Sequence, residues 1–239
     1  MRPLILLPAC NEAACLPSVV REVCSSFPAS DVLIVDDASD DSTPWLLPEL
    51  GVCWIRLPER TGVGGAVRRG LQYALHMGYD TVVRLDADGQ HIASRALELL
   101  EALRRGGADA AVGSRYKAAS GYRAGRVRRL AQRVLEIGLS LRLRCRVTDP
   151  TSGFWAFGPR AVKLLASHHP GGYSEPQLRL LLHRSGFQVL EVGVEMRRRV
   201  AGRTTLTPVR ALVAFTRACL ALVSLPPPAR VADLGRDPG

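Results

Sequence analysis

Three short stretches bring carboxylates and amides together in a pattern suited to a phosphorylated nucleotide. They are Pro8-Ala9-Cys10-Asn11-Glu12, Asp36-Asp37-Ala38-Ser39-Asp40-Asp41 and Asp86-Ala87-Asp88-Gly89-Gln90-His91. Glu12, Asp36 and Asp37 can accept hydrogen bonds from ribose hydroxyls or from the N–H edge of a base. Asp86 and Asp88 can reach one point from an extended turn and hold a divalent cation, with substrate phosphates completing its shell. Such a cation neutralises the charge that develops on a diphosphate leaving group. Taken singly, each stretch reads as a solvated turn or a set of helix caps; their force lies in the position all three share.

Each stretch closes a short apolar run. Residues 4–7, 32–35, 52–57, 81–85 and 110–112 are mostly continuous rather than alternating, as strands buried on both faces are. Leu16, Val19, Val20, Val23 and Phe27 keep helical spacing between the first two, and further helices fit 62–77 and 94–105. This alternation predicts an α/β fold, a Rossmann-like, mostly parallel central sheet flanked by helices. Ligands in such sheets bind beyond the carboxyl ends of the strands, where all three stretches fall. Gly62-Val63-Gly64-Gly65 follows the third strand and lacks the spacing of a dinucleotide fingerprint, which excludes a nicotinamide-dependent oxidoreductase.

Past Arg115 the pattern changes. Val127, Leu130, Val134, Ile137 and Leu141 line a basic amphipathic helix over 123–142; residues 149–157 read as extended, 175–184 as helix and 187–195 as strand. A C-terminal amphipathic helix over 207–225 starts at Thr207-Pro208, and 226–239 is a polar, flexible tail.

The chain has 239 residues, 47% of them hydrophobic and 23% charged, with a net charge of +10. Residues 115–146 carry ten basic side chains against the single acid Glu136, a local +9, while the remainder is almost neutral. That block calls for an anionic partner. Nucleic acid ranks low, because only Tyr116 and Tyr122 interleave the basic run as stacking residues. No run of about 18 uncharged apolar residues predicts a membrane span, and residues 1–8 are too short for a signal-peptide core, so the expected location is cytoplasmic. Six cysteines without a CxxC pair or a companion His cluster argue against zinc.

Six motifs together resemble the family 2 glycosyltransferases of GT-A fold, within them the dolichol- and polyprenyl-phosphate sugar synthases: PACNEA (8–13), IVDDASDDST (34–43), RTGVGGAVRRG (60–70), RLDADGQH (84–91), VGSRY (112–116) and DPTSGFWAF (149–157). The resemblance implies a transferase domain over 1–206, with a nucleotide-binding half 1–115 and an acceptor half 116–206. It places Pro8, Asn11, Glu12, Asp36, Asp37 and the Asp86-Ala87-Asp88 turn on a nucleoside-diphosphate sugar, with Gln90 near the sugar. Asp86 and Asp88 would hold Mg²⁺ or Mn²⁺. Arg115, Asp149, Ser152 and Gly153 would face the acceptor, and Arg203 would match a loop closing over phosphates, although Gly202-Arg203-Thr204-Thr205 lacks the lysine usual there. The implied reaction inverts the anomeric carbon in one displacement. A lipid-phosphate acceptor needs no general base, whereas a hydroxyl acceptor would need one, with Asp149 or Glu175 the candidates. The enzyme would then sit peripherally at the cytoplasmic face of the membrane, and the basic block favours the phosphate acceptor.

Overall fold

The computed structural model describes residues 3–117, 126–168, 175–197 and 216. Seven strands form one sheet: β1 (Leu4–Ala9), β2 (Asp31–Asp36), β3 (Cys53–Arg56), β4 (Val82–Arg84), β5 (Ala110–Ser114), β6 (Trp155–Phe157) and β7 (Val189–Gly193). Their order is β3-β2-β1-β4-β6-β5-β7, parallel except for β6, which runs antiparallel to both β4 and β5. The five strands expected before Arg115 are all present, with β3 and β4 shorter than the apolar runs that announce them.

Alternate residues of β1 feed two cores. Ile5 and Leu7 join Leu16, Val19, Val20 and Val23 of α1 (Leu16–Ser26) and Leu99 of α4 (Ala96–Gly106) on one face. Leu4 and Leu6 join Ala66, Val67 and Leu71 of α3 (Val63–His76) and Val162 and Leu165 of α6 (Pro159–His168) on the other. Helices on both faces account for the continuous apolar runs of β1, β4 and β5, which are buried throughout. In contrast β3, at the edge of the sheet, leaves Cys53, Trp54 and Arg56 exposed, so the run 52–57 is not buried on both faces as expected. A short α2 (Thr43–Leu46) follows β2. The sequence reading assigns neither α2 nor α6. In α6, Pro159 occupies the first turn, where its missing N–H costs nothing.

α5 (Arg126–Leu143) and α7 (Glu175–Arg184) form a smaller layer, with Leu139, Leu143, Val147 and Leu180 as its own core. The apolar stripe that the sequence shows on α5 is not the face it buries. Gln132, Leu135, Leu139 and Leu143 are buried, whereas Leu130 is 67%, Val134 48%, Ile137 50% and Leu141 76% exposed. These four stand at steps of four, three and four, on the side of the helix opposite the buried residues. The helix expected over 207–225, Arg203 and the tail 226–239 lie outside the described residues, Thr216 excepted.

Candidate active site

Because β1 lies between β2 and β4, the loops leaving these three strands share one rim. Asn11 (φ 59°) and Ala38 (φ 51°) take left-handed backbone there, a cost for Ala38 of about 1 kcal/mol or more. The loops are laced together. Asn11 N–H donates to Ser39 Oγ at 2.8 Å, Asn11 Nδ2 to Asp40 Oδ1 at 2.5 Å, and Asp40 N–H back to Asn11 Oδ1 at 2.9 Å. Glu12, buried like Pro8, donates its N–H to Thr43 Oγ1 at 3.0 Å.

Asp36 is fully buried; its Oδ1 accepts from the N–H and hydroxyl of Ser39, and its Oδ2 lies 3.4 Å from Arg56 Nε. Asp37 turns the other way. Its Oδ1 takes the Thr61 N–H (2.7 Å) and hydroxyl (2.9 Å), and its Oδ2 the Gly62 N–H (2.8 Å). Both oxygens fasten Thr61 and Gly62, the two residues that lead into α3.

At the end of β4, Asp88 Oδ1 accepts the Gln90 N–H at 3.0 Å and Ala87 is buried. Asp86 Oδ1 lies 3.2 Å from Arg84 Nη2, and the Asp86 N–H donates to His91 Nδ1 at 2.9 Å. Only an unprotonated Nδ1 accepts that bond, and burial holds the His91 pKa below its usual value, so the ring is neutral. It stacks on Phe154 at 4.7 Å. Burial pushes Asp86 up, but its surroundings, the charge and hydrogen bond of Arg84 foremost, together hold the carboxyl below its ordinary value. Gly153 comes against this carboxylate: a Cβ there would lie 2.6 Å from Asp86 Oδ2. Asp86 and Asp88 offer hard oxygen donors, and among the described residues no three His, Cys, Asp or Glu side chains gather into a metal cage. That donor set fits a cation that completes its shell on substrate phosphates and water.

Beside it, Arg115 forks onto Asp149, Nε to Oδ2 and Nη2 to Oδ1, each at 2.7 Å, and Nη2 also donates to Thr151 Oγ1 at 3.0 Å. Burial would raise Asp149, yet the bonds from Arg115 hold it below the usual carboxylate value. Gln132 of α5 reaches Thr151 at 3.2 Å and the Tyr116 hydroxyl, over whose ring Arg129 lies at 4.0 Å. Arg129 Nη1 is buried with no hydrogen-bond partner among the described residues. Ser152 is buried, its Oγ accepting the Phe154 N–H at 3.3 Å. Glu175 accepts from Arg84 Nη1 at 2.8 Å and from Trp155 Nε1 at 3.1 Å, and its burial raises its pKa against the pull of Arg84. Arg179 pairs with Glu191 and donates to Asp149 O, forming the wall between this cluster and a cavity of about 420 Å³ bordered by Lys117, Arg146 and Thr148.

The structure thus brings Asn11, Glu12, Asp36, Asp86 and Asp88 to one rim, and Arg115, Asp149, Ser152, Gly153 and Glu175 to its flank. The sequence reading misses Arg84, Arg129, Gln132, Thr151 and Arg179. For Arg84 a signal exists, since an arginine inside the run Val82-Val83-Arg84-Leu85 has to find a buried counter-charge.

A mixed sheet of this order with carboxylates on the β1, β2 and β4 rim is the architecture of the GT-A glycosyltransferases. Glucosyl-3-phosphoglycerate synthase from Mycobacterium tuberculosis, solved with Mn²⁺ and uridine-diphosphate-glucose, superposes with a TM-score of 0.70 at 27% identity, covering 94% of this chain and 80% of that one. The family model for glycosyl transferase family 2 matches residues 4–165, and the chain belongs to that family. Among curated relatives, the undecaprenyl-phosphate mannosyltransferase of Micrococcus luteus is 30% identical over 87% of this chain and 88% of its own length. The polyprenol monophosphomannose synthase of Mycolicibacterium smegmatis is 31% identical over 84% and 79%.

Proposed function

We propose that this glycosyltransferase moves a sugar from a nucleoside-diphosphate donor to a polyprenyl phosphate at a membrane surface, with cation assistance and inversion at the anomeric carbon. The carrying observation is that neither candidate base is at liberty. Asp149 is committed to Arg115 through both oxygens, and Glu175 is held by Arg84 and Trp155. A hydroxyl acceptor would need one of them to take a proton. A phosphate monoester, with its second pKa near 6, is already largely a dianion at neutral pH. The names of the two curated relatives point the same way.

In this reading Pro8, Asn11, Glu12 and Asp36 line the nucleotide's seat, and Asp37 shapes that seat by pinning α3. Asp86 and Asp88 would hold Mg²⁺ or Mn²⁺, which supplies charge neutralisation at the diphosphate, and Gln90 lies beside the sugar. The acceptor phosphate oxygen forms the new bond to the anomeric carbon as the bond to the diphosphate oxygen breaks, its electron pair leaving with the nucleoside diphosphate. No proton is transferred. Arg129, whose Nη1 lacks a hydrogen-bond partner among the described residues and whose guanidinium lies over Tyr116, contacts the acceptor phosphate. Arg115 and Asp149 set the wall at Ser152 and Gly153, and Arg115 lends positive field to Asp86. Among the described residues no helix is long and apolar enough to cross a membrane; the exposed stripe of α5, with Arg133 and Arg142 also exposed on that helix, supports a peripheral mode.

The test is a panel of nucleoside-diphosphate sugars with polyprenyl phosphate or the free polyprenol, in Mn²⁺, Mg²⁺ or chelator. Transfer to the phosphate alone, dependent on cation, is the expected result. Asp88→Asn is expected to lose about 10²-fold or more of it while melting like the wild type. Equal transfer to the polyprenol, or turnover indifferent to chelator, would overturn the proposal.

A further inference from the structure

Arg84 carries its charge into the centre of the sheet, between β1 and β6, with a side chain 3% exposed. Its hold is divided. Nη1 donates to Glu175 Oε1 at 2.8 Å, Nη2 to Asp86 Oδ1 at 3.2 Å, and Nε is buried with no acceptor among the described residues. Neither carboxylate receives the two-pronged grip that suits a guanidinium, and the unmet Nε donor is costly at such depth. Glu175 is anchored on its other oxygen by Trp155 at 3.1 Å. Gly153 completes the enclosure, since a Cβ there would stand 2.9 Å from Arg84 Nη2 as well as 2.6 Å from Asp86 Oδ2.

We propose that Arg84 is a resident placeholder for the divalent cation: it neutralises Asp86 while the cation is absent, and Glu175 takes over its guanidinium when Asp86 turns to the cation. The inference rests on the reading of Asp86 and Asp88 as cation holders. Two positive charges competing for one carboxylate repel each other, and a buried arginine left unpaired is expensive. Glu175, already hydrogen-bonded to the same guanidinium, removes both costs, because Arg84 need only shift its weight from one partner to the other. A residue at the start of α7 thereby tunes cation affinity on β4, and Arg84 acts as a positioning residue that never touches the sugar.

The experiment is Mn²⁺ uptake by the purified chain, followed by calorimetry with and without uridine or guanosine diphosphate, beside thermal melting. Glu175→Gln commits the guanidinium to Asp86 and is expected to weaken Mn²⁺ binding about 10-fold or more, the scale of changes behind a metal ligand. The double variant Arg84→Gln with Glu175→Gln removes placeholder and receiver together, leaves Asp86 free of its competing guanidinium, and is expected to bind Mn²⁺ as tightly as wild type or more so. A folded Glu175→Gln protein with wild-type affinity overturns the inference, as does a double variant that binds more weakly than wild type. The double variant decides alone if Glu175→Gln does not fold. Wild-type protein that takes up no Mn²⁺ in either condition, with Asp88→Asn indistinguishable from it, overturns the cation reading and this inference together.

Discussion

At Asp149 both carboxylate oxygens are taken by Arg115, and the pair is shut away from water, with side-chain exposures of 0% and 8%. Breaking such a pair from one side strands a buried charge. Arg115→Met is therefore expected to cost about 3–5 kcal/mol of stability, read by denaturant unfolding; a loss of acceptor binding with unchanged stability would show that the arginine serves the ligand and not the wall. His91 makes a pH-dependent contribution. Its folded pKa lies below the ordinary 6.5 because of burial, so the unfolded chain binds the extra proton first as pH falls. Its contribution is fully present above about pH 6.5 and is lost as pH drops through the lowered folded value. His91→Asn keeps an acceptor near the Asp86 N–H without a titrating ring and should flatten the melting profile below about pH 6.5. An unchanged slope would place the acid sensitivity elsewhere.

The helix α5 is where sequence and structure diverge most usefully. Its hydrophobic period predicts an amphipathic helix, and one forms, but the stripe made by Leu130, Val134, Ile137 and Leu141 faces out while Leu135, Leu139 and Leu143 hold it to the body. Periodicity reports that an apolar face exists without saying which face meets protein, because two leucine-rich sides were available on one cylinder. Replacing Ile137 and Leu141 by Glu is expected to leave melting within about 0.5 kcal/mol of wild type, as exposed changes do, and to cut binding to anionic phospholipid vesicles about 10-fold or more. Leu139→Ala, on the buried side, should instead cost about 2–5 kcal/mol of stability. Vesicle binding untouched by the paired Glu changes would remove the stripe from any membrane role.

Across the whole molecule, the rim was legible because each of its parts is local: an apolar run, then its polar loop, repeated for β1, β2 and β4. What could not be read were relations made only by the tertiary arrangement. The three residues of β6 show no period of their own, and their antiparallel place between β4 and β5 is visible only once the sheet is assembled. The two halves expected at 1–115 and 116–206 share that sheet, since β6 and β7 are strands of it. Asp37 carries the same letter as Asp36 but pins the loop that leads into α3, and the Arg84–Glu175 bond spans 91 positions of chain. The inserted strand also bears on synthesis. As the polypeptide leaves the ribosome, β4 emerges with an uncovered flank that stays bare until residues 155–157 arrive, so a nascent fragment ending before them exposes a row of unsatisfied amides to any passing strand.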